Sequence, residues 1–301
     1  MTITAVSRKS KQDIIFDVVV FIICLLFFLA AFYPLYFVII ASVSDPTAVS
    51  LGKVLWRPVD LSIRGYTYIF NNPDIWMGYG NTILYTVCGT LLGTFSTLLA
   101  AYALSRDDLP GRGIVMKLML LTMFFNGGMI PTYLVVNSLG MVNTRLILVL
   151  MGAVVVYNII IARTFFASNI PKELFEAASI DGCGNTRFFF TMVLPLSKAI
   201  VAVIALYIAI AYWNSYFNAL IYVTKRSYFP LQLILREILI LGQTLAQSGD
   251  SMDVEAIAEM QKISETIKYG VIIVSMLPVM CVYPFIQKYF VQGVMIGSVK
   301  G

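Results

Sequence analysis

The chain contains no histidine in its 301 residues. Histidine is the commonest metal ligand and the side chain that titrates nearest neutral pH, so its absence removes the usual routes to a zinc centre or a general base. Charge is scarce too: Asp, Glu, Lys and Arg make up 12% of the chain, against about 25% in a soluble domain. The four cysteines, Cys24, Cys88, Cys183 and Cys281, are far apart with no CxxC pair. They read as small apolar residues and not as a disulfide or zinc framework. There is no GxxxxGK(S/T) segment, which excludes the usual phosphate cradle for ATP. No GxSxG or HExxH motif occurs either, and no paired nucleophile and base replaces them. The 21 basic residues outnumber the 16 acidic ones, but they are scattered in ones, twos and threes. Without a basic stripe, that excess argues against a nucleic-acid partner.

Apolar sequence fills the space that charge leaves. Hydrophobic residues make up 59% of the chain and its mean hydropathy is +0.85. Too few polar residues remain to cover a soluble surface, so lipid must be the solvent. Long runs nearly free of charge occupy 18–44, 75–105, 118–144, 146–162, 199–224 and 269–287. Crossing about 30 Å of hydrocarbon takes about 20 helical residues. The expectation is an all-α, polytopic membrane protein with six transmembrane helices, the run 146–162 being the shortest. Within 118–144, Asn126-Gly127-Gly128 and Pro131 predict that the span stops and that a re-entrant segment or turn follows. Gly89 and Gly93 form a GxxxG in the second run, which suits close helix packing. The first run follows Arg8, Lys9 and Lys11 but lacks a small-x-small cleavage site, so it reads as a retained helix. The short loop bearing Arg106, Arg112 and Lys117 is basic, which puts it and both termini in the cytoplasm by the positive-inside rule. Two long loops, 45–74 and 225–265, then fall outside and read as docking surfaces, the other reading being merely long connectors. The second carries six of the sixteen acids.

Between the fourth and fifth runs lies a segment too short and polar to span. Pro171 at the first helical position, Glu173 in the first turn, and Gly182 and Gly184 at the end predict an amphipathic helix of about 11 residues. Leu174, Ala177 and Ala178 would share one face. The small residues Ala177, Ala178 and Gly182 let another backbone approach, and Glu176 and Asp181 can accept hydrogen bonds. Such a helix either docks into a cleft of a soluble partner or only links two spans.

Glu176-Ala177-Ala178, Asp181-Gly182, Phe188 and Pro195 fit the pattern EAA-x-x-D-G-x5-F-x6-P at every named position. This resembles the EAA loop of ABC importer permeases, and the resemblance extends over nearly the whole chain. Trp213-Asn214 with its aromatic neighbours, and the ending Gly297-Ser298-Val299-Lys300-Gly301, are similar to carbohydrate permeases of the maltose type. In those the ending commonly reads G-A-V-K-G. The stretch 126–133 with Asn143-Thr144 is similar to a subgroup that imports larger saccharides, some containing uronic acids.

The resemblance implies a permease domain over 14–292, with a short segment 1–13 before it and a tail 293–301 after it, both cytoplasmic, in the cytoplasmic membrane of a prokaryote. The loop 166–196 would hold the coupling helix, with Glu176, Ala177, Ala178, Asp181 and Gly182 contacting an ATPase subunit. Ser298, Val299, Lys300 and Gly301 would reach the same ATPase, or else form a frayed end. The implied partners are a second, paralogous permease, two ATPase subunits that bind ATP and Mg, an extracytoplasmic solute-binding protein and an oligosaccharide. This chain would bind no cofactor and catalyse no reaction. Aromatic faces and amides suit a sugar path, so Trp213, Asn214, Tyr216 and Asn218 are its candidates; packing or interfacial anchoring is the other reading. The competing function is an ion-coupled secondary transporter of a small polar solute. The near absence of ionisable residues from the span centres argues against it, although carbonyls and hydroxyls can build a Na⁺ site. A non-transporting membrane scaffold would leave the EAA pattern without an explanation.

Overall fold

The computed structural model describes residues 10–247, 267–281 and 284, and every regular element among them is helical. The chain divides into two compact units, residues 1–69 with 241–274, and residues 70–240 with 275–301.

The first unit begins with α1 (Lys11–Ser42), opened by a capping box in which Ser10 and Asp13 satisfy each other's backbone N–H groups. The most apolar 18-residue window of α1 is wholly unburied, as expected of a helix whose solvent is lipid. After it, α2 (Pro46–Ser50) is capped by Asp45, whose carboxylate accepts from the Thr47 and Ala48 amides. The segment leading to α3 (Arg64–Asn71) is tied back to the end of α1. Ser62 N donates to Val43 O at 2.9 Å, Tyr36 Oη to Trp56 O at 2.6 Å, and Tyr66 Oη to Ser42 Oγ at 2.8 Å. Ile40, Ala48 and Val54 make a small core beneath. The loop 45–74 is therefore a folded lobe through its first two dozen residues.

The second unit is built around α4 (Pro73–Ser105), started by the Asn72 cap with Pro73 at the first helical position. Its 33 residues make it about 50 Å long, enough to cross a bilayer. The GxxxG glycines face inward. A Cβ on Gly89 would meet the Tyr212 ring at 2.3 Å, and one on Gly93 would meet the Ala153 carbonyl oxygen at 2.4 Å. The predicted break in the third run is present. α5 (Arg112–Phe124) stops, Asn126 Oδ1 accepts from Gly128 N at 2.9 Å with Gly128 at φ +87, and α6 (Met129–Ser138) leaves at 114° to α5.

The fourth run is not one helix. α7 (Arg145–Leu150) and α8 (Val156–Asn169) are separated by an irregular stretch with Gly152 at φ +91. Gly93 of α4 lies against this stretch, since a Cβ there would meet the Ala153 carbonyl oxygen. Asn143 takes the left-handed conformation, φ +62. It accepts from the Thr224 and Lys225 amides and donates to Tyr222 O, while Thr144 Oγ1 caps α7. The Asn143-Thr144 pair is thus a structural tie.

Downstream come α9 (Lys172–Ile180), α10 (Asn185–Phe188), a π turn at Phe189–Val193 and α11 (Leu194–Leu196), then α12 (Lys198–Trp213) at 86° to the segment before it. α13 (Phe217–Tyr222), a 3-10 turn at Arg226–Tyr228, α14 (Leu231–Gln247) and α15 (Ile267–Cys281) complete the described elements. Phe166, Phe188, Phe189, Ile204 and Ile208 are fully buried at the centre of this unit, while Leu91, Phe124 and Leu134 stay open on its outside. Two described helices are long and apolar enough to cross a membrane singly, and the α5–α6 and α10–α12 pairs are so only if each bent pair is one span. The predicted run 269–287 is described as far as Cys281 by α15, and its remainder lies outside the described residues apart from Pro284.

Candidate functional site

The helix α9 forms where the sequence places it, with nine residues. Pro171 stands one position earlier than expected, as the cap and not the first helical residue; either place suits a residue without an N–H. The C-terminus is a Schellman turn. Gly182 has φ +74, its amide donates to Ser179 O at 3.0 Å, and the Cys183 amide donates to Ala178 O at 2.9 Å. This conformation favours glycine at 182. Among the described residues, its two sequence neighbours apart, no atom lies within 4 Å of where a Cβ would stand, so these residues leave the space beside it open.

The expected common face of Leu174, Ala177 and Ala178 divides. Ala178 is buried and Leu174 half-buried, whereas Ala177 is exposed together with Glu176, Asp181 and Gly182. The end of α9 therefore offers a small-residue surface flanked by two carboxylates. Beside it Ile180 is 87% exposed, an apolar side chain for which sequence reasoning found no role. Its place between the alanines and Asp181 was the available signal.

The root of α9 is held by the turn between α4 and α5. Arg106 caps α4, makes a two-pronged ion pair with Asp108 at 3.0 and 3.1 Å, and lays its guanidinium over the Phe175 ring at 3.1 Å from the centroid. Phe175 in turn meets the buried Phe188 edge-on at 5.3 Å. Asp107 receives both Arg112 and Lys172. Lys172 and Arg112 hold the Asp107 carboxyl below the usual carboxylate range, and Arg106 does the same for Asp108. A cleft of about 330 Å³ opens between this turn and α9, walled by Tyr102, Phe166 and Phe175 and rimmed by Arg106, Asp107 and Lys172. Sequence reasoning used this basic loop only to orient the chain. Its apposition to α9 joins residues 69 positions apart, Arg106 and Phe175, and leaves no local signature.

The candidates in the fifth run lie at a helix break. Trp213 ends α12 and is buried, with Nε1 donating to Ser275 O at 3.0 Å and an edge contact to Tyr79 at 6.1 Å. Asn214 and Tyr216 are exposed and Asn218 is half-buried. Asn214 Nδ2 donates back to Ile210 O at 2.9 Å. The structure thus gathers the four around one break but leaves only Asn214 and Tyr216 exposed. Tyr212 packs on Gly89 and donates to Val149 O at 2.5 Å. Ser298, Val299, Lys300 and Gly301 lie outside the described residues. Among the described residues no cluster of His, Cys, Asp and Glu could hold a metal ion.

No family model matches the chain. It is 40% identical, over 95% of its length and 99% of the relative's, to the polygalacturonan/rhamnogalacturonan transport system permease protein YtcP of Bacillus subtilis (strain 168). It is 38% identical to protein LplC of the same organism, covering 98% of each chain. Among solved structures it resembles, with a TM-score of 0.82 and 32% identity over 94% of this chain and 99% of the other, a chain of a bacterial ABC transporter involved in the import of the acidic polysaccharide alginate.

Proposed function

The chain belongs to the permease subunits of carbohydrate ABC importers, and we propose that it carries an acidic oligosaccharide through the cytoplasmic membrane, driven by a separate ATPase that docks on α9. The observation that carries this reading is the open end of α9. Glu176, Ala177, Asp181 and Gly182 are exposed around a Schellman turn with free space above it. Nothing in the chain can hold ATP in the usual cradle, so the energy enters through this surface. ATP binding closes the ATPase pair and draws the coupling helices together; hydrolysis resets them. The uronate character of the cargo is supported by the named substrates of two relatives, polygalacturonan/rhamnogalacturonan and alginate.

In this reading the chain has six spans, with both termini and α9 in the cytoplasm. A paralogous permease completes the path, two ATPase subunits sit below, and an extracytoplasmic binding protein meets the lobe 45–74 and the segment 225–265. The tail residues Ser298 to Gly301 reach towards the ATPase. Asn214, Tyr216 and Asn218 face the path, and Trp213 shapes the break that presents them.

The test is co-purification of this chain with its neighbouring permease and ATPase, as wild type and as Gly182→Arg. The variant puts a long side chain into the open space and forces a non-glycine residue to φ +74. The ATPase is expected to accompany the wild type and to be lost from, or uncoupled by, the variant. Failure of the ATPase to associate with the wild type, or an unchanged Gly182→Arg complex, overturns the docking assignment.

A further inference from the structure

The turn between α4 and α5 is built more tightly onto α9 than a connector needs. Arg106 is the last residue before the turn, directly on the end of α4. Its side chain is only 18% exposed, and its position is fixed from three directions. Asp108 takes two of its nitrogens, its carbonyl accepts from Arg112 Nη1 at 3.0 Å, and its flat face lies on Phe175. Phe175 is a residue of α9 caught between that guanidinium and the buried Phe188. Nearby, Arg163 Nε donates to Leu104 O at 3.3 Å, so the end of α4 is itself held against α8.

Two links join the turn to α9, and they differ in weight. The Asp107–Lys172 pair is open to solvent, at 52% and 79% side-chain exposure, where ion pairs contribute little. The Arg106–Phe175 stack is half-buried, and an arginine over an aromatic face gains as water is excluded. The stack is therefore the dominant link.

We propose that Arg106 is a positioning residue for the coupling helix: clamped by Asp108 and stacked on Phe175, it fixes α9 to the end of α4, so that displacement of α9 by the ATPase moves α4. This rests on the docking role of α9 proposed above. The consequence reaches far from the ATPase side because α4 is continuous. Towards its other end Asn81 Nδ2 donates to Ser227 O and Phe229 O, and Tyr85 Oη donates to Tyr228 O. Its first turn carries Asp74, paired with Arg226, which also pairs with Glu237. One rigid helix thus joins the ATPase-facing turn to the segment entering α14.

The experiment uses the full complex in nanodiscs and proteoliposomes, with Arg106→Ala, Arg106→Lys, Phe175→Leu, the Arg106→Ala/Phe175→Leu double variant and Asp107→Asn. Hydrogen exchange of the α9 amides is one readout; ATP hydrolysed per trigalacturonate imported is the other. Arg106→Ala and Phe175→Leu are each expected to speed α9 exchange at least threefold and to raise the ATP-to-sugar ratio at least threefold, at unchanged complex yield. The double variant matches the larger single effect, since both remove one contact. Arg106→Lys does not restore the wild type, because an ammonium has no flat face to stack, and Asp107→Asn stays within about twofold of it.

The proposal is overturned if Arg106→Ala leaves both readouts unchanged, if Arg106→Lys matches the wild type, or if exchange quickens throughout α4, α8 and α12, which marks a general folding defect. The docking role of α9 fails separately, by loss of the ATPase from the wild-type complex. The exchange comparison can be made on the permease pair alone, so it decides the link between Arg106 and Phe175 in either case.

Discussion

Substituting Gly93 by alanine tests how the irregular stretch between α7 and α8 is accommodated. The new Cβ would stand 2.4 Å from the Ala153 carbonyl oxygen and 3.2 Å from both its carbon and Ile208 Cδ1. A carbon and a carbonyl oxygen normally come no closer than about 3.3 Å, so the shortfall is close to 1 Å. The nearest atom is backbone, and no rotamer change can relieve it. Either α4 moves away from α12 and the 151–153 turn, or the turn distorts. Overpacking of this kind costs about 1–3 kcal/mol. The control is Gly80→Ala in the same helix, where no atom of the described residues beyond the adjoining helix turns lies within 4 Å of the added carbon and the better helix propensity should be neutral to favourable by up to about 1 kcal/mol. Thermal unfolding of the purified permease pair in detergent should show Gly93→Ala lower in Tm by several degrees and Gly80→Ala unchanged or higher. Equal Tm values for the two variants would refute the close approach of α4 to the turn.

Other substitutions probe single contacts. Tyr212→Phe keeps the ring on Gly89 but deletes the hydroxyl that donates to Val149 O; a loss of about 1 kcal/mol in the same unfolding assay is expected, and no loss would mean the hydroxyl is not bonded there. Asn81→Ala frees the Ser227 and Phe229 carbonyls and should cost about 1–3 kcal/mol, with faster proteolysis of the 225–230 segment as the sign that the right contact was removed. Gly182→Ala must hold φ +74 with a side chain, at about 1 kcal/mol, and should fray the end of α9 in hydrogen exchange; Gly184→Ala, free of that constraint, should leave α9 intact. The carboxyls of Asp107 and Asp108 titrate below their ordinary range, Asp107 chiefly through Lys172 and Asp108 through Arg106. A depressed folded pKa gives a contribution that is complete above the unfolded value near 3.9 and lost only as pH falls through the folded one. Protection of α9 amides, corrected for intrinsic exchange, should therefore be flat from about pH 8 to about pH 5, and a loss centred near pH 6 would mean another group controls the turn.

Much of this chain follows from nearest neighbours along the sequence. Scarce charge and long apolar runs require lipid as solvent whatever the packing. Asn126-Gly127-Gly128 breaks its run because an Asn side chain can bond two residues on and glycine accepts positive φ, which is how the turn is built. The same local logic ends α9 at Gly182. Other features depend on atoms brought from elsewhere in the chain. The run 146–162 is apolar throughout apart from its tyrosine and asparagine, and only the fold shows that its backbone breaks near Gly152, against Gly93 of α4. Helical spacing put Ala177 and Ala178 together, yet the fold buries one and exposes the other, because Phe175 and Phe188 decide how α9 is rolled. Trp213 and Asn214 are adjacent in sequence, but Ser275 draws the indole inward while the amide stays open. Periodicity and turn chemistry act over a few residues and can be read in one dimension. The facing of α9, the packing of Gly93 against the 151–153 turn and the stack of Arg106 on Phe175 are set by long-range packing, and only the tertiary structure decides them.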